Sequence, residues 1–111
     1  MAQKQDVKIG LLGAGTVGLQ VARILHDQQQ ELAARAGANL VLSGVAVRDT
    51  SKAREGLDRN LLTTDIDAVI DSADLVIELM GGLEPARSAM LKALEAGKTV
   101  VTGNKAVLAQ Y

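Results

Sequence analysis

With 111 residues, no cysteine, one histidine and a net charge of −1, the chain is limited to one domain or part of one, without disulfides or thiolate metal sites. Its near-zero charge and its single aromatic residue, Tyr111, exclude the basic or aromatic surfaces that bind nucleic acid and anionic membranes. Because it has neither a signal peptide nor an apolar run of about 18 residues, we expect a cytoplasmic protein that binds no metal, nucleic acid or membrane.

A buried strand leads directly into a glycine-rich turn near the amino terminus. Residues 1–6 are polar and are expected to be disordered, whereas the apolar run at residues 7–12 is typical of a central parallel strand. Helical apolar spacing begins near residue 16. A helix that starts at such a turn points its free amide hydrogens and its positive dipole end at an anion. The pattern therefore predicts a pyrophosphate site at Gly13, Ala14, Gly15, Thr16, Val17 and Gly18.

Each glycine of this turn has its own predicted role. Gly13 makes the tight turn, Gly15 removes the Cβ that would block a phosphate, and Gly18 lets the helix pack closely on the strand. The alternative is that the glycines serve packing only, since the chain contains 11 of them. Their position between a strand and a helix favours the nucleotide site.

Strands and helices alternate along the rest of the chain. In chain order we predict one helix at residues 16–36, a strand at 40–47, a short edge strand at 61–63, a short helix at 65–71 with Thr64 as its N-cap, a strand at 75–80, a helix at 86–96, a strand at 99–102 and a helix from residue 104. This alternation predicts an α/β fold, a Rossmann-type parallel sheet with helices on both faces, truncated at its C-terminal end. We expect the first strand between the 40–47 and 75–80 strands, with the 61–63 and 99–102 strands outermost and the ligand at their carboxyl ends.

The second strand ends in Arg48 and Asp49, where a dinucleotide fold contacts the adenosine ribose. A carboxylate at this point hydrogen-bonds both ribose hydroxyls and favours NAD, whereas a guanidinium binds the 2′-phosphate of NADP. We predict Arg48 as the ribose-side contact and NADP or NAD as the cofactor, with NADP slightly favoured. For Lys52 and Arg54, which follow, the alternative is a solvated loop.

Two further strand ends are predicted at the same edge. Met80, Gly81 and Gly82 follow a buried strand, and we expect their backbone to pass close to the nicotinamide ribose; the alternative is an ordinary turn. Asn104 and Lys105 follow the last strand. The Lys105 ammonium could hydrogen-bond a substrate oxygen or stabilise developing negative charge, or it could be an ordinary surface lysine.

Other ionisable residues are assigned less specific roles. Glu78 lies inside an apolar strand and needs a partner if it is ionised, which leaves a structural or a catalytic role open. His26 is predicted to lie at the surface. The set formed by Asp65, Asp67 and Asp71 is interpreted as a solvated helix face.

Five segments in order make the chain resemble the amino-terminal part of homoserine dehydrogenase. They are Gly-Leu-Leu-Gly-Ala-Gly-Thr-Val-Gly at residues 10–18, Val-Ala-Val-Arg-Asp at 45–49, Leu-Leu-Thr-Thr-Asp at 61–65, Val-Ile-Glu-Leu-Met-Gly-Gly at 76–82 and Val-Val-Thr-Gly-Asn-Lys-Ala at 100–106. The resemblance runs from residue 8 to residue 109. It implies an NAD(P)-dependent oxidoreductase that interconverts L-homoserine and L-aspartate 4-semialdehyde by hydride transfer, in threonine and methionine synthesis.

The resemblance also implies roles for individual residues. The family's Thr-Ala-Asn-Lys motif supplies a lysine near nicotinamide and substrate, which corresponds to Lys105, and Asn104 would lie beside the nicotinamide. Gly103 replaces the usual alanine, a change from one small residue to another. The basic residue at position 48, here Arg48, is associated in the family with NADP preference.

Family members continue into a substrate-binding and dimerising domain, which we expect to be absent from this chain. Residues 7–111 would then be an incomplete dinucleotide-binding domain of a homo-oligomeric enzyme, able to bind nucleotide without turnover. Two alternatives stay open. One is another small-molecule dehydrogenase or reductase of the same fold, such as aspartate dehydrogenase or dihydrodipicolinate reductase. The other is a non-catalytic nucleotide-binding or redox-sensing module.

Overall fold

The computed structural model describes residues 5–50 and 59–103. Its elements are β1 (Asp6–Leu12), α1 (Thr16–Asp27), α2 (Gln29–Ala36), β2 (Asn39–Ala46), β3 (Leu62–Thr63), α3 (Ile66–Ser72), β4 (Leu75–Glu78), α4 (Ala86–Glu95) and β5 (Thr99–Thr102), with one turn of 3₁₀ helix at Arg59–Leu61. The predicted helix from residue 104 lies outside the described residues. Within the described ranges, no helix is both long enough and apolar enough to span a bilayer.

The sheet is parallel throughout and its strand order is β3-β2-β1-β4-β5, which confirms the predicted topology. β1 occupies the centre because its side chains are apolar on both faces. Leu12 packs with α3 and α4 residues on one face, and Leu11 packs with Ala22 of α1 on the other. Both leucines are completely buried. The helices therefore cover both faces of the sheet, as the alternating sequence predicts.

The single helix predicted for residues 16–36 is wrong: two helices are separated at Gln28. Leu25 and Ala33 are both buried, and they are eight residues apart. The chain leaves the helical conformation at Gln28, which has φ of −114° and ψ of 31°, and each of the two helices buries one of these side chains.

Smaller corrections concern where elements begin. β1 starts at Asp6, one residue before the predicted strand and inside the segment expected to be disordered. The N-cap of α3 is Asp65 and not Thr64, because the Asp65 carboxylate accepts a hydrogen bond from the Ala68 N–H at 3.1 Å. β4 ends at Glu78, two residues before the predicted end.

Beneath α3, two adjacent glycines receive a side chain from the helix. Gly10 of β1 and Gly44 of β2 are partners in the sheet, next to a register shift between Ile9 and Gly10. A Cβ on Gly10 would lie 2.8 Å from Cγ1 of Val69, and a Cβ on Gly44 would lie 3.4 Å from its Cγ2. Val69 thus fills the space that the two missing side chains leave, and α3 packs close to the sheet.

Candidate nucleotide-binding site

The ends of the central strands meet at one edge of the sheet through backbone hydrogen bonds. The Gly13 N–H donates to the Ala46 carbonyl at 2.8 Å, which joins the end of β1 to the end of β2. The Leu79 N–H donates to the Leu12 carbonyl at 2.9 Å, which joins β4 to β1. The hydrogen bonds between β4 and β5 continue just past the end of β5, where the Gly103 N–H donates to the carbonyl of residue 78 at 3.3 Å. The glycine turn and the other predicted strand ends are therefore neighbours.

Two glycines of the turn are required by close packing. Gly13 has φ of +99°, a conformation that L side chains rarely adopt, and a Cβ there would lie 3.0 Å from the Leu79 carbonyl oxygen. A Cβ on Gly18 would collide with the Gly13 carbonyl oxygen, which is fixed in the backbone. Gly18 thus lets α1 approach the turn closely, as its spacing predicts.

Gly15 is different because its missing side chain faces open space. A Cβ at this position would find no atom within 4 Å, and Gly15 is exposed at the N-cap of α1. Its φ of −73° is ordinary, so the turn itself does not require glycine here. The absence of a side chain keeps the approach to the backbone of the helix start clear.

The start of α1 has backbone donors that its cap residue, Gly15, does not satisfy with a side chain. The first bond of the helical ladder runs from the Leu19 N–H to the Gly15 carbonyl at 2.8 Å, so the N–H groups of residues 16–18 have no partner within the helix. The cap makes no side-chain hydrogen bond, and the first turn contains no acidic residue. This positive helix end, with the clear surface at Gly15, fits an anionic group such as a diphosphate.

The other residues of the turn differ in their exposure. Ala14 is half-buried against the apolar cluster on the α1 face of the sheet. Val17 is 58% exposed although it belongs to the apolar pattern of α1, whose buried face includes Ala22 and Leu25. Residue 16 is the first residue of α1.

The segment after β4 lies directly against the glycine turn. Met80 is half-buried and packs on the core cluster beneath α3 and α4, and its Cα would be 3.1 Å from a Cβ on Gly13. Gly81 and Gly82 both have positive φ, of 76° and 73°, and a Cβ on either would meet no atom within 4 Å. The backbone of these two glycines is therefore open, and it directly follows a residue that packs against the turn.

Arg48 follows the end of β2 and is exposed. It lies two residues beyond Ala46, whose carbonyl accepts the Gly13 N–H, so the structure places it on the β2 side of the turn. Asp49 is exposed beside it. A carboxylate and a guanidinium are thus both present at this strand end, while Lys52 and Arg54 lie outside the described residues.

Glu78 is completely buried at the end of β4. Its Oε2 accepts a hydrogen bond from the Met80 N–H at 2.6 Å, and its Oε1 accepts one from the Thr102 hydroxyl at 2.8 Å. Two donors therefore satisfy a carboxylate that burial alone would destabilise. An isolated acidic residue in an apolar strand was the indication available in the sequence, and the identity of its partners required the sheet topology.

The remaining ionisable residues lie away from this edge or outside the described ranges. Asn104 and Lys105 fall outside the described residues. His26 is exposed on α1 beside Asp27, which confirms its predicted surface position. Among the acidic residues of α3, Asp65 caps the helix and Asp67 pairs with Lys92 of α4 at 2.9 Å.

That ion pair accounts for the acidic face of α3. The hydrogen bond to Asp67 raises the pKa of the Lys92 ammonium above its usual value, and the charges of Asp67, Asp71 and Asp65 act in the same direction. The three aspartates are exposed, as predicted, and the positive charge that interacts with them is the Lys92 ammonium.

Comparison with known proteins identifies the family. The family model described as "Homoserine dehydrogenase, NAD binding domain" matches residues 13–111. The homoserine dehydrogenase of Corynebacterium glutamicum is 49% identical over 107 residues, which are 95% of this chain and 24% of the relative. That of Mycobacterium tuberculosis H37Rv is 47% identical over 108 residues, or 96% of this chain and 24% of the relative.

Solved structures agree with the sequence comparison. The crystal structure of a homoserine dehydrogenase from Thiobacillus denitrificans matches with a TM-score of 0.88 and 42% identity, covering 97% of this chain and 26% of that one. A homoserine dehydrogenase of S. aureus matches with a TM-score of 0.82 and 34% identity, over 91% of this chain and 27% of that one. The chain thus spans about a quarter of the length of these relatives. It belongs to the homoserine dehydrogenase family, of which it represents the NAD-binding domain.

Proposed function

We propose that this chain binds the NAD(P) coenzyme of a homo-oligomeric oxidoreductase that interconverts L-homoserine and L-aspartate 4-semialdehyde in threonine and methionine synthesis. The observation that carries the proposal is the start of α1, where backbone donors without a side-chain cap lie beside the clear surface of Gly15. Family membership supports the oxidoreductase role. The substrate is inferred from the names of the relatives, which are about four times longer.

The proposed binding mode follows the order of the strand ends. The N–H groups of residues 16–18 bind the diphosphate, because they are the donors that the helix leaves free. Arg48 contacts the adenosine ribose on the β2 side, and Met80, Gly81 and Gly82 contact the nicotinamide ribose on the β4 side. Gly13, Ala14 and Gly18 shape the turn between them.

The bound nicotinamide supplies a hydride acceptor for the alcohol and a hydride donor for the aldehyde. In the oxidising direction the substrate carbinol carbon would give a hydride to the oxidised nicotinamide and the hydroxyl would give its proton to water, which leaves the aldehyde. We propose that Lys105 hydrogen-bonds the substrate oxygen, where an ammonium stabilises the developing negative charge. Asn104 is proposed to lie beside the nicotinamide.

We further propose that these 111 residues, tested alone, bind nucleotide without turning over substrate. The relatives have three quarters of their length beyond the matched segment, and we infer that the remaining substrate contacts lie there. Incubation of the 111-residue chain with homoserine and NADP⁺ should produce no NADPH. A rate comparable to that of an intact enzyme would contradict this assignment.

Arg48 provides the test of cofactor choice. Arg48→Ala should weaken NADPH binding by about 1.5–3 kcal/mol, the value of a charged hydrogen-bonded contact, and should leave NADH binding nearly unchanged. Fluorescence titration with both nucleotides measures the two losses. Arg35→Ala is the matched control, because Arg35 is an exposed arginine on α2 that pairs with Glu31. Equal losses for both nucleotides would remove Arg48 from this role.

A further inference from the structure

Of the residues that the structure describes, Glu78 is the charged side chain that is completely buried. We infer that it is a positioning residue for the nicotinamide half of the coenzyme, an inference that rests on the proposed nucleotide-binding function. Its carboxylate holds the backbone of residues 79–82 and the end of β5 in one arrangement. It acts through these two segments and is not assigned a contact with the coenzyme.

The two carboxylate oxygens of Glu78 bind two different strand ends. Oε2 accepts from the Met80 N–H at 2.6 Å, in the segment that leads to the open glycines 81 and 82. Oε1 accepts from the Thr102 hydroxyl at 2.8 Å, on β5. The backbone carbonyl of residue 78 also accepts the Gly103 N–H just after β5, and the next residue, Leu79, donates its N–H to Leu12 of β1. One side chain thus connects the segment after β4 with the end of β5.

Packing alone does not explain an acidic residue at this position. An apolar side chain would fill a fully buried site at the end of a strand without the unfavourable desolvation of a carboxylate. Glutamate instead directs the Met80 N–H inward and fixes the direction in which residues 81 and 82 leave the sheet. It also fixes Thr102, the first residue of the Thr-Gly-Asn-Lys segment that contains Lys105.

The adenosine half of the proposed site is joined to the sheet by contacts other than those of the Glu78 carboxylate. The glycine turn packs against residues 79 and 80, but the Gly13 N–H donates to the Ala46 carbonyl, and Arg48 leaves the sheet on the β2 side. The loss of the Glu78 contacts should therefore weaken a ligand that contains nicotinamide and spare one that lacks it. A role limited to general stability would weaken both ligands equally.

The experiment is calorimetric titration of the 111-residue chain with NADH and with ADP-ribose, which lacks the nicotinamide. If the chain binds NADPH more tightly than NADH, the dinucleotide is NADPH and the ligand without nicotinamide is 2′-phospho-ADP-ribose. Thr102→Val removes one donor while keeping the volume and β-branching, and should lower affinity for the dinucleotide about fivefold to tenfold. Affinity for ADP-ribose should stay within about twofold. Glu78→Leu removes both contacts and should give the larger loss of the two.

Two further variants separate positioning from charge and from surface effects. Glu78→Gln keeps an acceptor for the Met80 N–H and offers an amide to the Thr102 oxygen, so it should retain affinity for the dinucleotide within about threefold. Glu95→Gln, an exposed change on α4, should alter neither affinity. Equal weakening of both ligands by Thr102→Val, or no change in either, would overturn the inference. A wild-type chain that binds neither ligand would overturn the proposed function, and this inference with it.

Discussion

The sheet beneath α3 and the start of α1 both depend on glycine, but for opposite reasons. At α3, the space above Gly10 and Gly44 is filled by Val69 of the same chain. At α1, the space above Gly15 is empty of protein. The helix starts differ in the same way: the Asp65 carboxylate caps α3, whereas α1 begins without a side-chain cap. One region satisfies its own packing and hydrogen bonding, and the other leaves both available to a ligand.

This difference shows that an open glycine has meaning only in its context. Gly37 and Gly97 also face open space, but both have positive φ and follow the ends of helices, where they terminate the helical turn. Gly15 has no such conformational reason, and it adjoins N–H groups that have no partner within the helix. Three glycine substitutions test the distinction between glycines that pack and the glycine that leaves an approach clear, and a fourth substitution, Asp65→Ala, tests the difference between the two helix starts.

Gly18→Ala should have the largest effect, because it disturbs both packing and the proposed site. The new methyl group would collide with the Gly13 carbonyl oxygen, and a backbone atom cannot move aside without shifting α1. We expect a loss of about 2–3 kcal/mol in the free energy of unfolding and loss of measurable nucleotide binding. Urea denaturation and NADH titration measure the two effects. Full binding in the variant would show that the contact between α1 and the turn is not required.

Gly15→Ala should separate binding from stability. The methyl group meets no protein atom, and the backbone conformation suits alanine, so the free energy of unfolding should change by no more than about 1 kcal/mol. Nucleotide affinity should fall at least about tenfold, because the methyl group occupies the approach to the helix start. The same two measurements apply. Unchanged affinity would mean that no ligand comes close to Gly15.

Gly10→Ala should give the reverse result. Its methyl carbon would lie 2.8 Å from Cγ1 of Val69 and press on that side chain, so the free energy of unfolding should fall by about 1–3 kcal/mol. Nucleotide affinity should be retained in the folded variant. Adding Val69→Ala should make the double variant less destabilised than the sum of the single changes, since the two side chains compete for one space. Strict additivity would contradict this packing.

Asp65→Ala should have the smallest effect of the four. It removes the cap of α3 and should cost about 1 kcal/mol of stability, with no change in nucleotide affinity. Asp65→Asn is the control, because the amide oxygen can still accept the Ala68 N–H. If Asp65→Ala weakened nucleotide binding, the independence of the two helix starts would be wrong.

The sequence predicted the strand order, and with it the strand ends that meet at one edge of the sheet, because alternating apolar strands and helices restrict the topology to few arrangements. It also predicted the packing role of Gly18, which follows from the spacing of the glycines. Pattern alone could not show that Gly10 and Gly44 share one partner, since Val69 is distant in the chain. The Thr102 hydroxyl that donates to Glu78 was inaccessible for the same reason, because it lies 24 residues away.

Local errors arose where neighbouring residues have similar propensities. The residues around Gln28 are polar and compatible with a helix, so the sequence pattern did not indicate the break at this residue. Thr64 and Asp65 are both good N-caps, and the structure shows that the Asp65 carboxylate is the one that accepts the Ala68 N–H. The side chains of the proposed catalytic segment, Asn104 and Lys105, remain predictions from the resemblance.

The central claim is that the amides at the start of α1 bind the coenzyme diphosphate. The most direct measurement is a ¹H–¹⁵N spectrum of the labelled chain during titration with NADH or NADPH. The account predicts the largest shifts at the amides of residues 15–18, smaller ones at residues 80–82, and none in α3. Saturable binding that shifts α3 and leaves residues 15–18 unchanged would contradict it.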